Sequence, residues 1–142
     1  MVNTRMFKPD DAYAVRSLRE TAANQINRNF CVMLASKGPC WTLEREGAVL
    51  GVGGLMLKGN GLARLWGLVS NDLTPAEGMY ATRLTVRLLR QSKWLGVERI
   101  ESLTEANWRK GERTLRVLGF AVLEGGDVLS EGVLYRLWER AP

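Results

Sequence analysis

Histidine is absent from this 142-residue chain, and that absence removes a large share of enzyme chemistry. Ser-His and Cys-His nucleophile pairs are excluded, and so is every histidine-ligated metal site. Acid–base work must fall to Asp, Glu, Tyr, Lys, Cys or ordered water. The two cysteines, Cys31 and Cys40, are too few for a disulfide framework or a metal centre. Cys31 reads as a small buried residue and Cys40 as a strand residue. Long apolar runs are also lacking. The longest, Phe30–Ala35, falls far short of the roughly 20 residues that cross a bilayer, so no membrane partner is expected. The first residues, Met1–Asp11, have no apolar core of the kind a secretory signal carries, and a cytoplasmic protein is the expectation. Repeats, low-complexity segments and linkers are missing, which points to one domain over residues 1–142 with length enough for a core.

What is present is ordinary in bulk and basic in balance. The hydrophobic fraction is 46% and the charged fraction 25%, as in a globular domain. Twenty basic residues against 15 acidic ones give a net charge of +5, which favours anionic partners. Five tryptophans, Trp41, Trp66, Trp94, Trp108 and Trp138, are expected mostly in or beside the core. Trp108 follows a candidate helix cap and is the one expected to be exposed, where it could line a cleft or an interface.

The patterning predicts a short first strand at 3–7 and a helical region opened by Pro9, with Asp10 and Asp11 suiting the helix dipole. Ala12, Val15 and Leu18 share a face there. Ile26, Phe30, Met33 and Leu34 mark a second helix, stopped at Lys37-Gly38-Pro39. From Cys40 the period becomes that of strands. Trp41 and Leu43 lead to a turn at Arg45-Glu46-Gly47, then a strand from Val49 to Leu57. Gly51, Gly53 and Gly54 inside that strand weaken it unless something must approach closely. Gly59-Asn60-Gly61 makes a second turn, and a third strand runs from Leu62 to Val69. A polar loop over 70–77 precedes a long helix at 78–95, ended by Gly96. Then come a strand at 97–103, a helix at 108–118 with Asn107 as its cap, a strand at 120–124, and a last strand at 133–138. The order is βαα-βββ-αβαββ: a mixed α/β, mostly antiparallel sheet of six to seven strands, with helices on both faces.

This order, with the Glu46-Gly47 and Gly51–Gly54 hairpin, the strand–loop–helix at 64–95 and the closing Leu118-Gly119-Phe120, resembles the GNAT superfamily of N-acetyltransferases. A narrower likeness joins Gly61–Pro75, the basic helix after it, Trp94-Leu95 and Leu115–Phe120. That combination is similar to the internal virion protein A family of short-tailed phages and its GNAT-like relatives. The resemblance implies acetyl-CoA as cofactor, a bacteriophage protein in the host cytoplasm or packaged in a virion, and other virion proteins as partners.

In the superfamily, two strands of the sheet splay apart and the fourth pairs its main chain with the pantetheine arm. The next loop wraps the pyrophosphate at a helix N-terminus, where unpaired amides and the helix dipole attract anionic oxygens. The resemblance places the strand groups at Gly67, Leu68 and Val69, with the strands parting just past Val69. It places the loop at Pro75–Tyr80, with Glu77, Gly78, Met79 and Tyr80 in it and Arg83 one turn on. Two positions depart from the family: Pro75 stands for Gln or Arg and donates no amide, and Tyr80 stands for a small residue. Thr74 followed three residues later by Glu77 is also a capping-box pattern, which reads as a plain helix start. Asn107 matches the asparagine that often opens the later helix.

The catalytic set is thin. The family commonly uses a Glu or a water wire as base and a Tyr as acid. The Tyr position falls at Leu115, and no acidic residue lies between Leu62 and Ser70. Candidate bases are Glu101, Glu105 and Asp72, and the Leu68 amide is the candidate for polarising the thioester carbonyl. For each carboxylate the alternative is a solvated surface group.

Arg83, Arg87 and Arg90 form a stripe at helical spacing, and Arg109, Lys110, Arg113 and Arg116 cluster on the later helix. These read either as solvated helix faces or as a site for an anionic partner, with nucleic acid among the options but no motif for it. Two functions therefore stand open: an acetyl-CoA-dependent N-acetyltransferase, or a catalytically inactive fold reused for virion assembly, binding a protein or DNA.

Overall fold

A computed structural model describes residues 1–15 and 27–142. Leu18 and Ile26, assigned above to helix faces, lie outside the described residues. In chain order the elements are β1 (Val2–Met6), α1 (Asp11–Ala14), α2 (Arg28–Ser36), β2 (Cys40–Arg45), β3 (Ala48–Gly59), β4 (Leu62–Val69), α3 (Pro75–Gln91), a 3₁₀ turn (Ser92–Leu95), β5 (Arg99–Glu105), α4 (Arg109–Val117), β6 (Ala121–Val122), β7 (Val128–Ser130) and β8 (Val133–Arg140). The eight strands make one sheet in the order β1-β2-β3-β4-β5-β8-β6, with β7 paired to β8. Only β4 and β5 are recorded as a parallel pair; β1–β2, β2–β3, β5–β8, β6–β8 and β7–β8 are antiparallel. The mixed, mostly antiparallel sheet matches expectation, with one strand more than the upper count.

The chain divides into two compact units, Met1–Met56 with Trp66–Leu84, and Leu57–Leu65 with Thr85–Pro142. In the first, Phe7, Ala12, Val15, Cys31, Val49 and Val52 form a buried cluster, with Cys40, Trp66 and Leu68 packed on it. Arg5 holds this corner together. It donates to both oxygens of Asp11 at 2.8 and 2.9 Å and to Glu44 at 2.9 Å. Asp11 also accepts from the Thr42 hydroxyl and the Lys8 amide, each at 2.8 Å. Cys40 lies on β2 as expected, and burial pushes its thiol up to about 11, so it stays protonated and unreactive.

The glycines of β3 have a packing reason. A Cβ on Gly54 would strike the carbonyl of Pro39 and come within 2.8 Å of the Cys40 Cα; one on Gly53 would meet the Trp41 ring at 2.9 Å and the Trp66 carbonyl at 3.0 Å. Close approach of neighbouring strands is what such glycines permit.

In the second unit, Trp138 is 1% exposed and Ile100 is fully buried. Leu115 and Leu118 are buried along α4, as their spacing implies. Gly111 is required within α4, because the Trp108 ring and the Thr104 hydroxyl occupy the place of a side chain there.

Several boundaries differ from expectation. The long helix begins at Pro75, not 78, and its last turn is the 3₁₀ segment. Strand β5 runs from Arg99 to Glu105, two residues later than expected, and β6 is only two residues long. Strand β7 was not anticipated. Asn107 does not cap α4: it adopts φ +67°, and the residue at the cap position is Trp108, which makes no side-chain cap bond. Trp108 is half-buried, whereas Trp94 is 80% exposed, so the exposed tryptophan is a different one.

Candidate functional site

Strand β4 is the backbone of the candidate site. Its parallel ladder with β5 pairs Leu62–Leu65 with Arg99–Ser102, and the Ser102 hydroxyl donates to the Leu65 carbonyl at 3.1 Å. The strand itself continues to Val69. On its other edge it follows β3, and the Ser70 amide donates to the Leu50 carbonyl at 2.8 Å. The ladder with β5 thus ends at Leu65, four residues earlier than the point just past Val69 that the resemblance implies. On the edge away from β3, Gly67 and Val69 carry main-chain groups beyond the end of the β5 ladder, while the Trp66 and Leu68 carbonyls turn to β3, against Gly53 and Gly51. Unpaired strand groups of this kind accept an extended ligand as an added strand.

The loop after β4 leads into α3, and the helix start is tightly committed. The Thr74 hydroxyl accepts from the Glu77 amide at 3.2 Å, and Glu77 accepts from the Thr74 amide at 3.0 Å. This is the reciprocal capping box that the sequence offers as one reading. The Gly78 amide already makes the first helical bond, to the Thr74 carbonyl at 2.9 Å, and Pro75 has no N–H. Among the described residues, Ala76 holds the one amide of this first turn without an assigned bond.

Glu77 is also paired with Arg45, which donates to both carboxylate oxygens at 2.7 and 2.8 Å. The Thr74 amide chiefly, with the Thr74 hydroxyl and Arg45, outweighs burial and holds the Glu77 carboxyl below its usual range. Its negative charge is therefore neutralised in place. Met79, Tyr80 and Arg83 point to solvent on the following turn.

The candidate carboxylates of the second unit are placed very differently from solvated groups. Glu101 on β5 is 7% exposed. It accepts from Arg64 at 2.5 and 3.1 Å and from Lys58 at 3.2 Å. Burial pushes its carboxyl up, but Arg64 and Lys58 overcome that and hold it low. Glu105 is half-buried at the end of β5, directly opposite Tyr135 in the β5–β8 register. Residues opposed in a ladder share a face, so the two side chains lie on one face of the sheet. Residue spacing alone does not reveal that pair, because the register of β8 was not legible. Leu115, at the position of the expected Tyr, is buried in α4 and has no proton to give. Asn107 is exposed in a left-handed turn. Asp72 lies in the exposed loop and its amide donates to the Ser70 hydroxyl at 3.0 Å.

Among the described residues no group of three or more Cys, Asp or Glu side chains could hold a metal ion, and no helix is long and apolar enough to cross a membrane.

No protein-family model matches the chain, and no curated protein matches it. Solved structures do. Ard1 from Thermoplasma volcanium superposes with a TM-score of 0.77 at 14% identity, covering 99% of this chain and 97% of that one. The structure of yncA from Salmonella typhimurium, determined with its cofactor acetyl-CoA, gives 0.72 at 13% identity over 99% and 93% of the two chains. An acetyltransferase of the GNAT family from Streptococcus pneumoniae gives 0.71 at 10% identity over 99% of both. The likeness extends from end to end while the residues have diverged almost completely, and what it establishes is that this chain has the GNAT acetyltransferase fold.

Proposed function

We propose that the chain binds acetyl-CoA along the outer edge of β4 and transfers the acetyl group to an amine. The observation that carries this reading is the continuation of β4 to Val69 beyond a ladder that ends at Leu65. The main-chain groups of Gly67 and Val69 suit an extended, amide-bearing arm, with Leu68 between them turned to β3. The helix start fits the phosphates less well: it offers the Ala76 amide and the solvent-facing Gly78–Tyr80 turn, so Arg83 would carry most of the phosphate charge. Asn107 belongs to the same expected set. When bound, the cofactor would supply an acyl group already activated as a thioester.

The chain's own contribution is orientation and a dipole. The Leu68 amide, expected in this role, shares the side of its carbonyl, which lies against Gly51 of β3, so the Gly67 or Val69 amide would be the one to polarise a carbonyl laid along the free edge of β4, and a fixed arm converts an encounter into a positioned one. Glu77 and Glu101 are poor bases, since each is stabilised as an anion by a guanidinium. Of the candidate bases, Glu105 and Asp72 remain. The amine is then best presented already neutral, and turnover rises with pH until the amine is deprotonated.

A second reading keeps the fold without the chemistry. It is favoured by the helix start, where Thr74, Pro75 and Glu77 leave one amide for an anion. A likeness to phage internal virion proteins, with packaging in a virion, belongs with these proposals and is supported by the combination of Gly61–Pro75, the basic helix after it, Trp94-Leu95 and Leu115–Phe120 alone.

Calorimetric titration with acetyl-CoA separates the readings. Binding with a Kd of about 100 μM or tighter, equivalent to roughly 5.5 kcal/mol or more, supports the transferase. Binding only in the millimolar range defeats it. If binding is found, Glu101→Gln should leave the rate of thiol release unchanged, and a rate lost with that carboxylate would return Glu101 to the role of base.

A further inference from the structure

The excess positive charge is not spread evenly. In the unit formed by Leu57–Leu65 and Thr85–Pro142, 12 basic residues face 8 acidic ones, which leaves +4 of the chain's +5. The acids of this unit with assigned ion pairs, Glu101 and Glu112, are taken by Lys58, Arg64 and Arg136. Arg87, Arg90, Arg113 and Arg116 are exposed and make no ion pair among the described residues.

These arginines converge. Arg90 lies at the C-terminal end of α3, close enough to Arg140 to act on its charge. Arg140 donates to the Leu118 carbonyl at 2.6 Å and to the Ala141 carbonyl at 2.7 Å, so no carboxylate answers it. Burial first, and Arg90 second, pull its guanidinium below the ordinary value. Arg116, on the last turn of α4, sits 5.3 Å from the centre of the Trp138 ring. The Leu118 carbonyl at the end of α4 and the Trp138 ring, two residues before Arg140 on β8, therefore bring Arg140 and Arg116 to one place, and Arg90 acts on that charge from the end of α3. Like charges gathered without a counter-charge repel one another until an anion arrives.

The stripe ends in an aromatic residue. Trp94 lies in the 3₁₀ turn that follows Arg87 and Arg90 and is 80% exposed. Lys93 stands over its ring at 5.1 Å. Glu98, the acid nearest in sequence, turns toward Gly61 instead. A row of guanidiniums closed by an open indole suits a polymer that alternates phosphates with flat bases. An acidic protein face would satisfy the arginines but leave the indole without a stacking partner.

We infer that the end of α3, its 3₁₀ turn and the end of α4 form a binding surface for single-stranded nucleic acid, with Arg87, Arg90, Arg116 and Arg140 on phosphates and a base stacked on Trp94. The surface reads no sequence, since none of these groups is aimed at base edges in a fixed pattern.

The test is fluorescence anisotropy of the full chain with a labelled oligothymidylate of about 20 nucleotides, a length that exceeds usual site sizes. Four phosphate contacts predict a slope of about −3 in log K against log salt, or roughly 50-fold weaker binding at about 200 mM than at about 50 mM salt. Arg87→Glu with Arg90→Glu should weaken binding at least about 10-fold and make the slope shallower by about 1.4. Trp94→Ala should weaken it about fivefold or more with the slope unchanged. Lys8→Glu with Lys37→Glu, an equal charge change at exposed positions of the other unit, should do nothing. Thermal melts of each variant confirm folding. The inference is overturned if the low-salt titration shows no binding, or if polyglutamate competes as well as unlabelled oligonucleotide and Trp94→Ala has no effect. Acetyl-CoA titration of the same variants keeps this test separate, because none of these residues belongs to the proposed cofactor edge.

Discussion

Replacing Thr74 with alanine should make the protein less stable and, on the proposed reading, its grip on acetyl-CoA no weaker. The hydroxyl of Thr74 satisfies the Glu77 amide at 3.2 Å, while the reverse bond, from the Thr74 amide to Glu77, does not need the side chain. Loss of one cap bond costs about 1 kcal/mol. For a chain of this size that lowers the melting temperature by about 3–5 °C. The same change releases an amide at the positive end of α3, beside Ala76. An added donor at a helix N-terminus is worth about 0.3–1 kcal/mol toward an anion, so the affinity should rise about two- to fivefold. Differential scanning fluorimetry reads the first quantity and calorimetry the second. Thr74→Ser, which keeps the cap, should reproduce the parent in both. An unchanged melting temperature would refute the capping argument. A Kd weakened more than about threefold, about 0.6 kcal/mol, would refute the idea that the cap and the phosphates compete for the same amide.

Two further outcomes concern stability. Gly54→Ala should cost about 3 kcal/mol or more, the upper end for overpacking, because the methyl meets main chain at Pro39 and Cys40 and not a side chain that can swing away; urea denaturation measures it, and a loss below about 1 kcal/mol would contradict that geometry. Asp11 is held below its ordinary value because Arg5, the Lys8 amide and the Thr42 hydroxyl together outweigh the effect of burial. A depressed carboxyl stabilises the fold above its unfolded value of 3.8, and that contribution is lost as the pH falls through the folded value. Asp11→Asn should therefore cost about 1–2 kcal/mol at neutral pH, discounted because Arg5 is a third exposed, and the gap to the parent should close as the pH drops below about 4. A gap that is constant with pH would show that the charge plays no part.

The parts of the fold that were legible in the sequence are those set by neighbours along the chain. The Glu46-Gly47 and Asn60-Gly61 turns take the positive φ values that tight hairpins need. The capping box at Thr74 is legible directly, and proline suits the first helical position, so the start of α3 at Pro75 and not 78 follows from local chemistry. Strand β7 was missed although its turn repeats the earlier chemistry: Glu131 and Gly132 have φ of 50° and 80°, as Glu46 and Gly47 have 51° and 81°. What was hidden depended on residues far apart. Glu101 has the sequence context of a surface carboxylate, and only the parallel ladder brings Arg64 to it, with Lys58 reaching it from β3. The pairing of Glu105 with Tyr135 likewise waits on the register of β8. Asn107 resembles a cap in sequence, yet asparagine tolerates the left-handed region as readily as it caps, and here the turn claims it.

Gly54 also decides how the first hairpin can align. Its partner across the ladder is Cys40, and Gly53 faces Trp41. A slip of one residue in one direction would carry Leu55 to the place where even a methyl collides with Pro39, and would turn every side chain of the strand to the opposite face. The missing side chain thus serves as a keyway: it admits one alignment of β2 on β3 and rejects its neighbour, and through β3 it sets where the edge of β4 lies.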